Sequence, residues 1–159
     1  MATLHLGDLL VRNNVLTESQ RDAVLEAQRM RGGPFGAIAE EMFGVSPAAV
    51  ERAWAEQYAM FAPHIDPRNF NINSRALEVI SRRQAWQFCI LPLEFKGSDL
   101  IAVTTQEHLV RALKFAGWRL GHSCQLLLAE PALLGEALQH HYPMAGMTAE
   151  SIIARGMVA

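Results

Sequence analysis

Two stretches of this chain, HLGDLLVRNNVLTESQRDAVLEAQ (residues 5–28) and PFGAIAEEMFGVSPAAVERAWAEQ (residues 34–57), fall on one another when position 5 is laid on position 34, a shift of 29 residues. Leu6-Gly7 then meets Phe35-Gly36, Leu16-Thr17 meets Val45-Ser46, Leu25 meets Trp54 and Gln28 meets Gln57. Each copy reads as an apolar residue and a glycine, a short helix, a Thr or Ser cap, and a second helix ending in glutamine. Apolar residues recur at helical spacing throughout, among them Leu9, Leu10, Val24, Leu25, Ile38, Met42, Val50 and Trp54, with no alternating strand pattern. Thr17 with Gln20 forms a capping box, which predicts a helix from Glu18 to about Met30. Gly32-Gly33-Pro34 breaks the chain, and Ser46-Pro47 starts another helix with serine as cap and proline at its first position.

Such a repeat admits two readings. In one, four helices pack into a single lobe and the repeat records how its core is filled. In the other, two equivalent half-sites face a ligand that itself has two halves. A glycine inside a helix costs about 1 kcal/mol relative to alanine, so its early placement in each copy points to a close backbone approach. A glutamine at the end of an apolar face offers both donor and acceptor atoms to the edge of a base.

Beyond Pro63 the period changes. Phe88–Phe95 and Leu100–Thr104 read as strands joined by the turn Lys96-Gly97-Ser98-Asp99, and Ser123–Leu128 reads as a third. Glu107–Ala116 reads as a helix stopped by Gly117, and Pro131–His141 as a closing helix. The expected fold class is therefore α+β. A four-helix lobe of two tandem helix-pair motifs occupies residues 1–60, a small α/β lobe with about three strands occupies 61–143, and a tail runs over 144–159. The tail, with one short apolar patch at Ile152-Ile153, is expected to be mobile or docked on a partner.

Bulk properties exclude several classes. Half of the 159 residues are apolar and the formal net charge is -2, which suits a packed domain and gives no field for capturing a nucleic acid polymer. No apolar stretch approaches the roughly 20 residues of a membrane span, so no direct membrane insertion is expected. Met1–Asp8 lacks the regions of a signal peptide, and Cys89 and Cys124 form no CxxC pair and read as buried free thiols, so the expected address is the cytoplasm. His64, His108 and His122 stand alone, and the adjacent His140-His141 point in different directions on a helix, so no metal site is expected. No GxxxxGK[ST] phosphate loop is present, and an enzymatic role is not expected. Arg82-Arg83 reads as a solvated face, whereas Arg29 and Arg31 lie between the copies, where they could reach a phosphate.

The paired copies resemble the nucleotide-binding N-terminal domain of type II secretion and type IV pilus assembly ATPases. That domain binds cyclic di-GMP in its better-matched members. Its motif is Arg-Leu-Gly, then Leu, Gly, Leu and Leu at set spacings, and a final Gln. The spacer Arg29–Gly33 between His5–Gln28 and Pro34–Gln57 has the length the family uses. Leu6, Gly7, Leu10, Leu25 and Gln28 match in the first copy; Gly36 and Gln57 match in the second, where Phe35, Val50 and Trp54 stand in for leucine. The later segments Arg82–Gln84, Leu91-Pro92-Leu93, Leu100–Val103 and His140–Tyr142 resemble the family's second lobe, so the likeness covers about residues 4–143.

Several positions depart from the pattern. The leading arginine is His5 and then Pro34, the mid-motif glycine is Asn14 and then Phe43, and Ala39 and Arg21 replace leucines. A usual Asp-Pro after the second strand is Thr104-Thr105. The resemblance implies a regulatory module that binds cyclic di-GMP and signals to a secretion, pilus or glycan-synthesis protein. The ligand-binding set it implies is His5, Leu6, Gly7, Leu10, Leu25, Gln28 and Arg29 with Phe35, Gly36, Val50, Trp54 and Gln57. A protein-interaction adaptor that no longer binds nucleotide is the other reading.

Overall fold

In a computed structural model, which describes residues 5–121 and 123–158, the capping box read at Thr17 is formed. Thr17 Oγ1 accepts the Gln20 N–H at 3.1 Å and Gln20 Oε1 accepts the Thr17 N–H at 2.9 Å. This pair starts the second of four helices: α1 (Leu6–Arg12), α2 (Glu18–Arg31), α3 (Phe35–Phe43) and α4 (Pro47–Phe61). They make up the first of two compact units, which divide after Phe61. Met1–Leu4 and His122 lie outside the described residues.

The two copies do not fold as two separate hairpins. Helix α1 packs chiefly on α4 and α2 on α3, so each copy's first helix leans on the other copy's second. The buried cluster at the centre consists of Leu9 with Ile38, Leu10 with Ala39, Leu16 with Val45, and Val24 with Ala53. Every one of these pairs is related by the same shift of 29 positions (38 − 9, 39 − 10, 45 − 16, 53 − 24). The repeat is thus written into the core as paired sites about a local pseudo-twofold. Ion and amide pairs follow the same exchange: Arg31 binds Glu41 through both nitrogens at 3.3 and 3.0 Å, and Asn13 Nδ2 donates to Glu56 at 3.2 Å.

The mid-motif departure resolves in the backbone. Asn14 takes the left-handed conformation (φ 60°) after α1, whereas α3 runs on through Phe43 and Gly44 (φ 65°) supplies the left-handed stop one residue later. Phe43 therefore does not break the second copy. The turn it displaces is made by its neighbour.

In the second unit, β1 (Leu91–Lys96) and β2 (Asp99–Thr104) form an antiparallel hairpin, and β3 (Cys124–Leu128) lies parallel to β2 in the order β1-β2-β3. The register slips between Pro92 and Glu94; Pro92, which has no N–H to give, is tolerated beside that bulge on an edge strand. Before the sheet come a 3-10 turn (Pro67–Asn69), α5 (Ser74–Leu77) and α6 (Arg82–Phe88); α7 (Leu109–Arg119) crosses between β2 and β3, and α8 (Pro131–His141) and α9 (Ala149–Val158) follow. The architecture is α+β, a helical lobe and a small α/β lobe.

Four features differ from the expectation. The strand expected from Phe88 begins at Leu91, because Ser81 and Gln84 cap α6 reciprocally and that helix runs through Phe88. Cys89 (φ 51°) ends it, and its carbonyl accepts the Thr104 hydroxyl at 2.7 Å. Helix α7 passes through Gly117, since one helical glycine costs only about 1 kcal/mol against the packing of the whole element. It starts at Leu109 because Thr105 Oγ1 accepts the His108 N–H at 3.2 Å and holds a turn ahead of it. The segment expected as a mobile or partner-docked tail carries α9, which packs on α8 of its own chain with Ile152 fully buried. Gly135 allows the crossing: a methyl group there would lie 2.6 Å from Ala149 Cα.

Candidate functional site

The repeat's two glycines are places where side chains cross a helix. A methyl group on Gly7 would lie 2.8 Å from Phe35 Cζ and 3.1 Å from Arg21 Cγ. On Gly36 it would lie 2.6 Å from Val50 Cγ1 and 3.8 Å from Leu6 Cδ2. Leu6 and Phe35 are equivalent positions, as are Arg21 and Val50 (50 − 21 = 29). Each glycine therefore receives the other copy's leading apolar side chain and, from its own copy, the side chain fourteen positions on (21 − 7, 50 − 36).

Around Gly7 this crossing opens into a cleft of about 380 Å³, within the size range of small-ligand sites. The first copy supplies His5, Leu6, Gly7, Asp8, Arg21, Leu25 and Gln28; the second supplies Phe35 and Gln57. Leu6, Leu25 and Phe35 give apolar walls, and the two glutamines bring amide groups from both copies into one place. Gln28 Nε2 donates to the Gly33 carbonyl at 3.0 Å, which ties the end of α2 to the spacer.

One charged pair stands in the cleft. Arg21 Nη1 donates to Asp8 Oδ1 at 3.2 Å, and Asp8 Oδ2 accepts the backbone N–H of His5 at 3.1 Å. On its other edge Arg21 Nε donates to Asp22 Oδ1 at 3.2 Å. That bond, and the charges of Asp22, Asp8 and Glu18, raise the arginine's pKa above its ordinary value. The guanidinium is part-buried, its side chain 26% exposed, and is positively charged at any pH the fold survives.

Of the sequence-expected residues, His5, Leu6, Gly7, Leu25, Gln28, Phe35 and Gln57 line the cleft. Leu10 is fully buried in the paired core and has no surface to offer a ligand. Gly36 and Val50 pack against each other away from the cleft lining. The Trp54 ring lies against Tyr58, centroids 5.5 Å apart, and is not part of the lining either. Arg29 is 74% exposed and paired with Glu26 at 3.2 Å; with Arg31 bound to Glu41, the two spacer arginines have carboxylate partners outside the cleft. Asp8 and Arg21 also line the cleft, and the sequence pattern does not mark either for ligand binding. The departure of Arg21 from leucine was the available signal, but only its proximity to Gly7 and Asp8 gives it meaning. Among the described residues no group of three or more His, Cys, Asp or Glu is placed to hold a metal ion.

A bilobal α+β domain with a cleft built mostly by one of two tandem helical motifs is the class that fold and site define. The MshEN domain matches residues 62–148, more than half of the chain. The chain belongs to the MshEN family. The cleft lies in residues 5–57, ahead of the span that the family match covers. The type IV pilus assembly ATPase PilB of Myxococcus xanthus is 21% identical over 148 residues, which cover 93% of this chain; the chain spans about a quarter (26%) of that relative's length. Among solved structures, that of MshE with cdg is 20% identical with a TM-score of 0.49, covering 87% of this chain and 99% of that one. The N-terminal domain of XpsE is 17% identical with a TM-score of 0.48, covering 86% and 93%. No helix among the described residues is long and apolar enough to cross a membrane.

Proposed function

We propose that the helical lobe is a regulatory module that binds cyclic di-GMP in the cleft around Gly7 and passes its occupancy to a protein of a secretion, pilus or glycan-synthesis machine. The observation that carries this reading is the convergence of Gln28, Gln57 and Arg21 on one apolar-walled cleft. Its walls, Leu6, Leu25 and Phe35, suit the face of a purine. Its amides suit polar base edges, and its guanidinium suits a phosphodiester. The first copy supplies most of the lining and therefore most of the affinity. The module acts in the cytoplasm and does not itself hydrolyse nucleotide; the 24-5-24 spacing of copies, spacer and copies supports the ligand assignment.

An isothermal titration with cyclic di-GMP, alongside GMP as control, tests the reading. Saturable binding that Gln28→Ala weakens and GMP does not match supports it. No heat at about 100 μM ligand, weaker than roughly 5.5 kcal/mol of binding, overturns it. The adaptor reading then stands, and it has its own observation: Met30 and Phe61 leave 79% and 64% of their surface exposed on the same unit.

A further inference from the structure

Arg21 occupies a position where the tandem motif otherwise carries an apolar residue, as its repeat partner Val50 still does. Val50 meets Gly36 through its methyl groups, and the stem of Arg21 meets Gly7 in the equivalent way. The substitution therefore keeps the packing contact and adds a guanidinium beyond it, at the rim of the cleft. Meanwhile both leading positions of the motif, His5 and Pro34, lack an arginine. Arg21 also lies within reach of two carboxylates. Asp22, its chain neighbour, holds the Nε edge, while Asp8 reaches Nη1 from α1, across the cleft side of Gly7.

We infer that Arg21 is the phosphate anchor of this cleft, in a motif whose leading positions carry no arginine, and that Asp8 holds the one guanidinium donor, Nη1, that a phosphodiester oxygen would take. The inference rests on the ligand reading above and assigns the residue and the exchange that make it work. A guanidinium N–H donates to a carboxylate or a phosphate oxygen alike, so one anion can replace the other at Nη1 with that single bond conserved. Asp22 keeps Nε and Nη2 in both arrangements and holds the side chain in place. When the Asp8 carboxylate gives up Arg21, Oδ2 retains its bond from the His5 N–H, and the freed Oδ1 belongs to a side chain 32% exposed, where water can take the place of the guanidinium. Asp8 then sets a threshold: it competes with the ligand, and only an anion able to displace it occupies the cleft.

The test is a titration of the full chain with cyclic di-GMP at low and moderate salt, for wild type, Arg21→Leu, Arg21→Lys and Asp8→Asn. Arg21→Leu restores an apolar residue at a position where Val50 shows one packs, and the amide oxygen brought in by Asp8→Asn still accepts the His5 N–H, so both variants keep the fold. The expected results are a loss of about tenfold to hundredfold for Arg21→Leu, the measure of one charge-assisted contact, with a shallower salt dependence. Arg21→Lys recovers part of the loss, and Asp8→Asn binds as tightly as wild type or several-fold tighter. Wild-type binding that Arg21→Leu leaves unchanged overturns this inference while the ligand reading survives. Weaker binding by Asp8→Asn overturns the exchange, because it makes Asp8 an acceptor for the ligand's base rather than a rival of its phosphate. No binding by any of the four proteins overturns the ligand reading and this inference with it.

Discussion

Phe35 Cζ lies 2.8 Å from where a methyl group on Gly7 would sit, and on the equivalent glycine Leu6 approaches from the other copy while Val50 Cγ1 closes to 2.6 Å. The two motif copies are thus interlocked at their glycines. Of the residues that join the copies, Leu6, Gly7 and Phe35 also line the cleft.

Replacing these glycines should therefore separate packing from helix propensity. Gly36→Ala drives a methyl group into Val50, whose branched side chain has little freedom to withdraw, and overpacking of this kind costs about 1–3 kcal/mol. The gain in helix propensity offsets about 1 kcal/mol of it. Gly117→Ala in α7 meets no atom within 4 Å and should stabilise by about 0.5–1 kcal/mol. Urea midpoints of the two variants check this; equal stabilities would defeat the account of why the motif needs glycine.

Helix α9 should behave as part of the second unit's core. Ile152 is fully buried, so Ile152→Ala should cost about 2–5 kcal/mol and open the 143–148 connection to limited proteolysis. A variant as stable and as protease-resistant as wild type would make the C-terminal segment an appendage after all.

Burial pushes the Cys124 thiol up to about 11 from its usual 9.0. At pH 8 roughly one thiol in a thousand is then ionised in the folded protein, since each pH unit is a factor of ten. Alkylation of native protein should be slow at pH 8 and accelerate up to about pH 11, and denaturant should abolish the lag. The unfolded chain releases this proton first, so the thiol's contribution to stability is complete below about pH 9 and declines as pH rises through 11. Fast labelling of native Cys89→Ser protein at pH 8 would contradict the burial.

The leading positions of the two copies should respond differently to repair. His5 lines the cleft and Pro34 does not; Pro34 instead precedes α3 in extended conformation. His5→Arg should tighten cyclic di-GMP binding by about tenfold, as one charge-assisted contact does, and Pro34→Arg should leave it unchanged. A gain from Pro34→Arg alone, read in the same titration, would move the site to the second copy.

Local signals in the chain were enough for much of this architecture. The reciprocal cap at Thr17, the Ser46-Pro47 start and the change of period beyond Pro63 depend on neighbours within a few residues, so α2, α4 and the βαβ pattern are legible or nearly so. The 29-residue shift was legible too, because it is a property of residue order. Strand β1 starts three residues after the Phe88 that the sequence suggests, since the apolar run Phe88–Leu91 spans a helix end, a left-handed Cys89 and a strand start that hydrophobicity alone does not tell apart.

Tertiary structure alone decided how the two copies pack on each other. Residue order shows that Leu10 and Ala39, or Gly7 and Gly36, are equivalent, but it does not show that α1 leans on α4 rather than on α2. That exchange buries Leu10 in the paired core and brings Gln28 and Gln57 to one cleft. It also sets Arg21 against Gly7 and Asp8, whereas a charged residue on a helix reads as a solvated face until the helix crossing it is known. Burial and charge pairing are sums over neighbours distant in sequence, and α9 closed onto Gly135 for the same reason: the notch that receives Ala149 exists only once α8 is in place.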